Sequence, residues 1–519
     1  MIKSVQIENL RSIKDSGPIT IKPITVLLGA NSSGKSTFLR SFPLMTQSVN
    51  KSLRGPISWF DSTLVDFGDF HTALNKYAIE DNIIRFAYSF YYNDNRKGWR
   101  YDYDTYKQLL NPRSLKKASF TLTADKEGAF VKDLEIIYED ITYKISIDSR
   151  QSEVHIKVSE QNLDLPFSLK FINEPRQRLL PQMAVQDDRF PSYYGFRRYV
   201  LDKIEDELSN LCNRRFKNKY RLHSMLDYPD MDKQGLLINM KQKVNIESLK
   251  KHINRWSVKN STFLKVYNMF VVSKLDAIIS FCNSELSSFY SNCSYIAPLR
   301  AEANRFYRNQ ELQVNDVDAY GRNLLEFISS LNGKEKEDYE IFMKSILKVS
   351  PKVTSVMGLQ SVVLQSDNGK FNLADVGYGY SQVLPVLTKI WYAGYKFRNS
   401  TRRIRVYESD MDDQVLLMEQ PELHLHPALQ AKLADAIVNH VCQKEETMVK
   451  TRIVVETHSQ TIINRLGRRI REGVIKTNDI NIVLFQKDTE GKNSIVRQIS
   501  FNENGQLQDW PWGFFDPED

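Results

Sequence analysis

The sequence predicts an α/β fold with an additional antiparallel β region and a helical insertion. The apolar run Thr25–Leu28 is typical of a buried central strand, and a glycine-containing loop connects it to a helix from about Phe38. After residue 350, strand and helix patterns alternate again. The strands expected there lie near Val362–Leu364, Val415–Met418, Ile453–Val455 and Ile482–Phe485.

Residues 80–160 predict an antiparallel meander. They are rich in aromatic and β-branched residues, as in Phe86–Phe90 and Tyr143–Ile147, and turn signals such as Asn93–Asn95 separate the runs. From about residue 195 to 290 the pattern becomes helical and basic, which indicates an inserted region.

We therefore expect three regions. They are an N-terminal lobe at 1–190, a basic helical insertion at 191–290 and a C-terminal lobe at 291–519.

Length and composition exclude several classes of protein. The 519 residues leave room for two or three domains, or for one large domain with an insertion. A content of 41% hydrophobic and 26% charged residues excludes a disordered or fibrous chain. The 71 Lys and Arg against 63 Asp and Glu give a net charge of +8, which permits nucleic-acid contact without establishing it.

Membrane and secretion signals are not found. No run approaches the roughly 18–20 uninterrupted apolar residues of a membrane span, and Met1–Ile7 reads as a strand rather than a signal peptide. Cys212, Cys282, Cys293 and Cys442 show no CxxC spacing. We therefore expect free thiols in a reducing, cytoplasmic environment.

The segment Gly29–Ser36 has the pattern GxxxxGKS of a phosphate-binding loop. In such a loop, backbone N–H groups surround phosphate oxygens, Lys35 reaches the β and γ phosphates, and the Ser36 hydroxyl binds Mg²⁺. A chance match in a Gly/Ser turn is the alternative. The strand before the loop and the helix after it favour nucleotide binding.

A second part of the site is predicted at two later strand ends. Val415–Met418 ends in Glu419, as a Walker B strand does when it directs one carboxylate at the magnesium shell. Ile453–Val455 leads to His458, which can sense the γ-phosphate or orient the attacking water.

Structural roles remain open for these residues. An acid at a strand end is often a helix cap, and Ser459 beside His458 can be an N-cap. His424 and His426 can flank a helix that starts at Pro427.

A third motif, Asp375–Gln382, places Gly377, Gly379 and Ser381 at a helix start, where anion contact is favourable. A plain glycine-rich turn is the alternative.

Together these motifs resemble the ABC-type ATPase head of SMC- and RecF-like proteins, in which two heads enclose ATP between the loop of one and the signature of the other. The runs Leu417–Pro427 and Glu456–Ser459 are especially similar to the bacterial OLD-like ATPases, which include the PtuA and AriA subunits of anti-phage systems (Septu, retron-associated modules and PARIS). Tyr295–Arg300 and Gly505–Asp516 extend the resemblance. It fades across roughly 90–290.

The resemblance implies a mixed sheet with a P-loop core, an antiparallel β subdomain, ATP and Mg²⁺ as cofactors, and head-to-head dimers. Ser36 would bind magnesium and Glu419 would hold it through water. Glu422 and His458 would assist catalysis, and Arg11 would lie near the base or the phosphates. The remaining nucleotide contacts implied are Gly29, Asn31, Ser33, Gly34, Lys35, Thr37, Gly379, Ser381 and Gln382.

One position departs from the general ABC pattern. Gln420 occupies the place of the glutamate that polarises water, and an amide cannot accept a proton. General-base help of about 10²–10⁴-fold would be missing. Either Glu422 or His458 substitutes for it, or turnover is slow and the ATP-bound dimer persists, which we favour.

The resemblance implies an ATP-gated sensor and scaffold of an anti-phage complex, forming a homodimer or higher oligomer and controlling a separate effector nuclease of the HNH or Toprim type. A RecF-like DNA-repair ATPase is the alternative. About 60 residues follow His458, too few for a Toprim domain, so we expect that the chain is not itself a nuclease.

Two charged clusters allow further functions. We expect the acidic cluster Glu408, Asp410, Asp412 and Asp413 to be a solvated loop rather than a metal site. The basic insertion interleaves charge and aromatics at Lys250–Trp256 and Arg214–Phe216. It would contact either nucleic acid or a partner protein. Solvated helix faces have a similar pattern and are the alternative.

Overall fold

The computed structural model describes residues 2–78, 81–91, 110–147, 154–158, 161–162, 170–172, 179–185, 194–212, 224–310, 312–403, 414–442 and 451–509. Four features predicted from the sequence lie outside these residues: the turn Asn93–Asn95, the basic and aromatic run Arg214–Phe216, the acidic cluster Glu408–Asp413 and the C-terminal stretch from Trp510.

The chain divides into two compact units. The first comprises Met1–Lys3, Ser48–Ser58 and Glu80–Ser288, and the second comprises Ser4–Gln47, Trp59–Ile79 and Phe289–Asp519.

The elements up to residue 291 are, in chain order, β1 (Ile2–Leu10), β2 (Ile13–Asp15), β3 (Ile19–Thr20), β4 (Ile24–Gly29), α1 (Lys35–Val49), α2 (Phe70–Ala73), β5 (Ile84–Phe90), β6 (Leu115–Asp125), β7 (Gly128–Tyr138), β8 (Ile141–Ile147), β9 (Val154–Val158), β10 (Gln161–Asn162), β11 (Lys170–Ile172), β12 (Gln182–Val185), β13 (Tyr194–Gly195), α3 (Phe196–Leu211), α4 (Lys233–Lys243), α5 (Glu247–Ile253), α6 (Ser261–Ser273) and α7 (Leu275–Ser291).

The elements after residue 291 are β14 (Cys293–Ile296), β15 (Tyr307–Arg308), α8 (Leu324–Ser330), α9 (Gly333–Leu347), β16 (Ser350–Val356), β17 (Leu359–Ser366), β18 (Gly369–Asn372), α10 (Tyr378–Arg403), β19 (Gln414–Glu419), α11 (Pro427–Cys442), β20 (Thr451–Glu456), α12 (Gln460–Arg471), β21 (Ile480–Lys487) and β22 (Ser494–Ile499).

The first unit contains the predicted meander and the predicted helical insertion. Strands β5 to β10 pair antiparallel, each with the next along the chain. On β8, buried Tyr143 and Ile145 flank exposed Lys144, because successive side chains of a strand point to opposite faces. Helices α3 to α7 follow. The meander and the insertion thus lie in one unit, although the sequence patterns predict them as separate regions.

The insertion uses its tryptophan for packing. Trp256 is 7% exposed, and its ring lies 6.2 Å from that of Phe263. Lys241 Nζ donates a hydrogen bond to the Trp256 carbonyl. An enclosed indole cannot stack on a base. The surface predicted at Lys250–Trp256 therefore offers basic side chains to a partner, but its aromatic ring is not available for stacking.

The second unit is built on a six-stranded sheet in the order β14–β19–β20–β4–β21–β22. The first five strands are parallel and β22 is antiparallel. A small antiparallel sheet precedes α10. Its strand β17 pairs with β15, β16 and β18. This arrangement confirms the predicted α/β fold with a mixed sheet.

Burial explains why the central strands are apolar along their whole length. All six residues of β4 are buried, as expected for a parallel strand covered on both faces. Leu387 and Ile390 of α10 and Leu433 and Ile437 of α11 belong to the same buried cluster as the strands. None of the described helices has the length and apolar composition to cross a membrane.

The parallel register aligns three strand ends. Glu419, the last residue of β19, is opposite Glu456, the last residue of β20, and Glu456 is opposite Leu27 of β4. The glycine-containing loop starts two residues after Leu27, at Gly29. Two carboxylates and the loop therefore lie at the same edge of the sheet, where α/β proteins bind their ligands.

The close backbone approach at Gly467 gives a test of the packing of the second unit. A Cβ at this position of α12 would lie 2.2 Å from the Gly505 carbonyl oxygen. We expect Gly467→Ala to lower the free energy of unfolding by about 1–3 kcal/mol, because backbone must shift to admit the methyl group. Chemical denaturation of both proteins measures the difference.

Gly333→Ala is the matched control, because Gly333 begins α9 and a Cβ there meets no atom within 4 Å. It should leave stability unchanged or raise it slightly through helix propensity. Equal stability of the two variants would contradict the close contact.

Candidate active site

The glycine-containing loop is shaped by contacts that admit only glycine at its start. Gly29 has a φ of +154°, and a Cβ there would lie 2.2 Å from the Phe485 carbonyl oxygen of β21. Residues Ala30–Ser32 are exposed, whereas Ser33 and Gly34 are buried. The chain then enters α1 at Lys35, three residues before the helix start predicted near Phe38. The loop therefore presents exposed backbone at the end of a rigid strand.

Lys35 lies within the loop. Its side chain is 3% exposed, and Nζ donates hydrogen bonds to the carbonyls of Gly29 at 2.9 Å and Ala30 at 2.7 Å. Burial lowers the pKa of Lys35, and the charges of Glu456, Glu422 and Glu419 oppose this shift. The ammonium group is thus held at the loop by two carbonyls that a phosphate group would replace as its partner.

The two strand-end carboxylates have different partners. Ser36 Oγ donates a hydrogen bond to Glu456 Oε1 at 2.8 Å. Glu419 instead accepts from Arg40, through Nε at 2.8 Å and Nη2 at 2.7 Å, and from the Tyr295 hydroxyl at 2.6 Å. The structure therefore brings Ser36 and Glu419 to the same edge of the sheet, with Glu456 as the direct partner of Ser36.

The electrostatics of this cluster follow from burial. Burial and the charge of Glu419 raise the pKa of Glu456 to about 7. Burial and the charge of Glu419 also raise the pKa of Tyr295, so its hydroxyl stays protonated and donates. Burial opposes the charge of Arg40, but hydrogen bonds and charge from Glu419 raise its pKa overall. The cation of Arg40 thus balances the charge of Glu419.

Gln420, Glu422 and His458 lie beside these carboxylates. Gln420 has a φ of +44°, its backbone N–H donates to the Glu456 carbonyl at 2.9 Å, and Nε2 lies 3.5 Å from Glu456 Oε1. Glu422 Oε1 accepts from the backbone N–H of His458 at 2.7 Å. Burial raises the pKa of Glu422. Burial and the charge of Lys35 lower the pKa of His458, which favours the neutral imidazole. The imidazole belongs to an exposed residue and can meet a ligand.

Two of the structural roles considered for this region are observed. Ser459 is the N-cap of α12, and its Oγ accepts from the Ile462 N–H at 3.0 Å. His426 Nδ1 accepts from the Ala428 N–H at 3.2 Å, at the start of α11. These residues support the local fold, and His458 keeps its side chain available.

The predicted third motif, Asp375–Gln382, is connected to the residues after β19 through a buried arginine. Arg300 is 4% exposed, and its Nη1 lies 3.4 Å from the Gln420 carbonyl. Gln382 is 1% exposed, and its amide donates to the Arg300 carbonyl at 3.2 Å. The resemblance predicts a nucleotide contact for Gln382, whereas its side chain supports Arg300. Ser381 Oγ donates to the Tyr378 carbonyl at 2.8 Å, and Gly379 is close to the His424 carbonyl.

The other predicted contacts lie around the loop. Arg11 Nη2 donates to the Asp66 carbonyl at 2.9 Å, and its guanidinium lies 4.2 Å from the Phe67 ring centroid. Burial and the charge of Arg40 lower the pKa of Arg11. Asn31 is exposed at the loop tip, and Thr37 is buried in the first turn of α1.

The residues present fit a magnesium ion. Magnesium prefers oxygen ligands, with one or two carboxylates and the phosphates of a substrate. The Ser36 hydroxyl and the Glu456 carboxylate supply such oxygens, and within the described residues Glu456 Oε2 is buried and has no hydrogen-bond partner. An orphaned carboxylate oxygen of this kind is the atom that a cation would satisfy.

Sequence reasoning assigned no role to four residues of this site: Glu456, Arg40, Tyr295 and Arg300. Glu456 had a usable signal, since it ends an apolar strand in the same way as Glu419. Tyr295 and Arg300 lie in the run Tyr295–Arg300, which extends the resemblance without indicating a role for either residue. Arg40 had no signal, because it meets Glu419 only through a tertiary contact.

Comparison with solved structures gives matches of low identity that span most of the chain. An SMC head domain with an extended coiled coil, bound to the C-terminal domain of ScpA and derived from Pyrococcus furiosus, is 10% identical over 96% of both chains, with a TM-score of 0.33. The SMC head domain from Thermotoga maritima is 7% identical over 96% of this chain and 98% of that one, with a TM-score of 0.31. Comparison with curated protein sequences finds no match.

The assignment therefore depends on the family match. The family described as the AAA ATPase domain matches residues 1–463. This range includes the phosphate-binding loop, the signature segment, both strand-end glutamates and His458, and it confirms the predicted ATPase class. The chain belongs to the AAA ATPase domain family.

Proposed function

We propose that this protein binds ATP with Mg²⁺ and hydrolyses it slowly. The observation that carries the proposal is the convergence of Lys35, Ser36, Glu419 and Glu456 at one edge of the parallel sheet, with Ser36 Oγ 2.8 Å from Glu456 Oε1. A lysine, a hydroxyl and acids in this arrangement are what phosphoryl transfer requires, because catalysis of that reaction depends on positioning and charge stabilisation.

Each residue has a defined task in this proposal. Lys35 exchanges its two loop carbonyls for phosphate oxygens. Ser36 binds magnesium, which neutralises charge on the phosphates when bound, and Glu419 holds it through water. Arg40 and Tyr295 fix the orientation of Glu419. His458, neutral and exposed, orients the attacking water. Gln420 cannot take a proton from that water, which supports slow turnover.

A second copy of the chain completes the proposed site. Gly379 and Ser381 lie in the first turn of α10, whose positive end favours an anion. Tyr378 at this helix start is 44% exposed. We infer that this turn meets the γ-phosphate bound by the other copy, so that ATP holds two heads together.

The biological role proposed is that of an ATP-gated sensor and scaffold in an anti-phage complex with a separate effector nuclease. The support is the similarity of the Leu417–Pro427 and Glu456–Ser459 runs to OLD-like ATPases, together with Gln420, whose effect suits a dimer that persists. Native complexes isolated from the source cell and measured by mass spectrometry test this role. A co-purified nuclease supports it. Bound DNA and DNA-stimulated ATPase activity, without a nuclease subunit, would favour the repair alternative instead.

Lys35→Ala tests the phosphate-binding loop. We expect ATP affinity to fall below detection in a filter-binding assay, because the only described cation within hydrogen-bond distance of the loop carbonyls is removed. Lys334→Ala, at an exposed position of α9, is the control and should bind normally. Unchanged affinity in a folded Lys35→Ala protein would rule out the loop assignment.

Gln420→Glu tests the missing base. The substitution keeps the shape of the side chain and adds a proton acceptor, so we expect the steady-state ATPase rate to rise at least about tenfold, within the range that a positioned base contributes. Gln420→Ala serves as the control, since it removes the amide without adding a base. An unchanged rate for Gln420→Glu would assign water activation to Glu422 or His458.

Ser381→Arg tests the proposed dimer. A bulky cation in the first turn of α10 should block the approach of a second head, while the loop of the same chain still binds ATP. With a non-hydrolysable ATP analogue, native mass measurement should show a dimer for the unmodified protein and a monomer for the variant. A dimer of Ser381→Arg with unchanged ATP dependence would refute this interface.

A further inference from the structure

The strand order decides which of the two buried glutamates is nearer to the phosphate-binding loop. β20 lies between β19 and β4 in the sheet. Glu456 at the end of β20 is therefore opposite Leu27 of β4, and Glu419 is one strand further away. The hydrogen bond of Ser36 agrees with this strand order, because its hydroxyl donates to Glu456 at 2.8 Å.

The two carboxylates also differ in how fully their oxygens are used. Glu419 accepts three hydrogen bonds, two from Arg40 and one from Tyr295, and it shares an ion pair with Arg40. Its charge is balanced and both oxygens are occupied. Glu456 accepts from Ser36 and, at 3.5 Å, from the Gln420 amide, both on Oε1. Among the described residues, Glu456 Oε2 has no partner and is buried.

A buried carboxylate with a vacant oxygen is unfavourable unless a cation or donor reaches it. Glu456 is 1% exposed, so bulk water does not satisfy it. The charges of Lys35 and Arg40 favour its ionised form, but Lys35 Nζ donates to the loop carbonyls and Arg40 pairs with Glu419. The vacant oxygen thus lies beside the one hydroxyl of the loop that is expected to bind magnesium.

We propose that Glu456 is a second acidic residue of the magnesium site and the one that faces Ser36 directly, while Glu419 acts from the neighbouring strand with its charge matched by Arg40. This inference rests on the proposed function, because it requires that the loop bind Mg²⁺ with ATP. It adds to that function a carboxylate on the strand that precedes His458.

The competing explanation is that Glu456 only orients the Ser36 side chain. Glu456→Gln separates the two roles. The amide oxygen of glutamine can still accept the Ser36 hydrogen bond, so a purely orienting role would survive. The negative charge that a magnesium ion needs would be lost.

The experiment measures the affinity of a fluorescent ATP analogue with Mg²⁺ and with EDTA. For the unmodified protein we expect Mg²⁺ to tighten binding. For Glu456→Gln we expect the EDTA value to be retained, while most of the Mg²⁺-dependent gain is lost, a change of about 10- to 100-fold. Electron paramagnetic resonance of Mn²⁺ in the presence of nucleotide should show less bound metal ion for this variant.

Glu326→Gln is the matched control. Glu326 lies on α8, and within the described residues its Oε2 is also buried without a partner. It is not part of the site, so its Mg²⁺ dependence should equal that of the unmodified protein. Glu456→Asp, which keeps the charge on a shorter side chain, should lose less of the gain than Glu456→Gln and serves if the glutamine variant does not fold.

The possible failures are distinguishable. If the unmodified protein does not bind the analogue, or binds it without any effect of Mg²⁺, the proposed function fails. If it binds with a Mg²⁺-dependent gain that Glu456→Gln retains in full, the proposed function stands and the role of Glu456 in the metal site is refuted.

Discussion

The architecture of the second unit depends on placing two buried carboxylates at adjacent ends of parallel strands. Glu419 and Glu456 are opposite each other in the register of β19 and β20, and both are nearly inaccessible to solvent. Two negative charges in such a place repel each other, which is why the charge of Glu419 raises the pKa of Glu456. Hydrogen bonds offset this repulsion. Arg40 and Tyr295 donate to Glu419, and Ser36 donates to Glu456.

Within the described residues, most charged groups of the site have partners, but one carboxylate oxygen does not. Lys35 is satisfied by two carbonyls of its own loop, and Glu419 is satisfied by an ion pair. Glu456 retains one vacant oxygen within the described part of the chain. One carboxylate oxygen beside Ser36 therefore lacks a cation or a hydrogen-bond donor among the residues that the structure describes. A divalent cation carried in with phosphates would satisfy this oxygen, and the phosphate oxygens would replace the loop carbonyls as partners of Lys35.

A second connection joins the start of α10 to the residues that follow β19. The Gln382 amide donates to the Arg300 carbonyl, and the Arg300 guanidinium approaches the Gln420 carbonyl. Burial lowers the pKa of Arg300 to about 10, so it remains a cation at neutral pH, near the charge of Glu422. The start of α10, proposed to contact a second copy, thus shares a buried support with Gln420, proposed to stand in place of the usual base. The proposed dimer face and the proposed phosphate site are therefore linked through hydrogen bonds of the buried Arg300.

The sequence by itself determined the α/β class, the phosphate-binding loop, the meander, the helical insertion and the strand that ends in Glu419. These features follow from local signals: apolar runs, alternation, glycine spacing and a lysine followed by a serine. Only the tertiary structure decided that β20 separates β19 from β4, that Arg40 neutralises Glu419, that Trp256 is buried and that Gln382 supports Arg300. Strand order and side-chain partners join residues that are far apart in the chain, such as Ser36 and Glu456, 420 positions apart. No local pattern contains that information, because the charge balance of a buried group is set by whatever the folded chain brings to it.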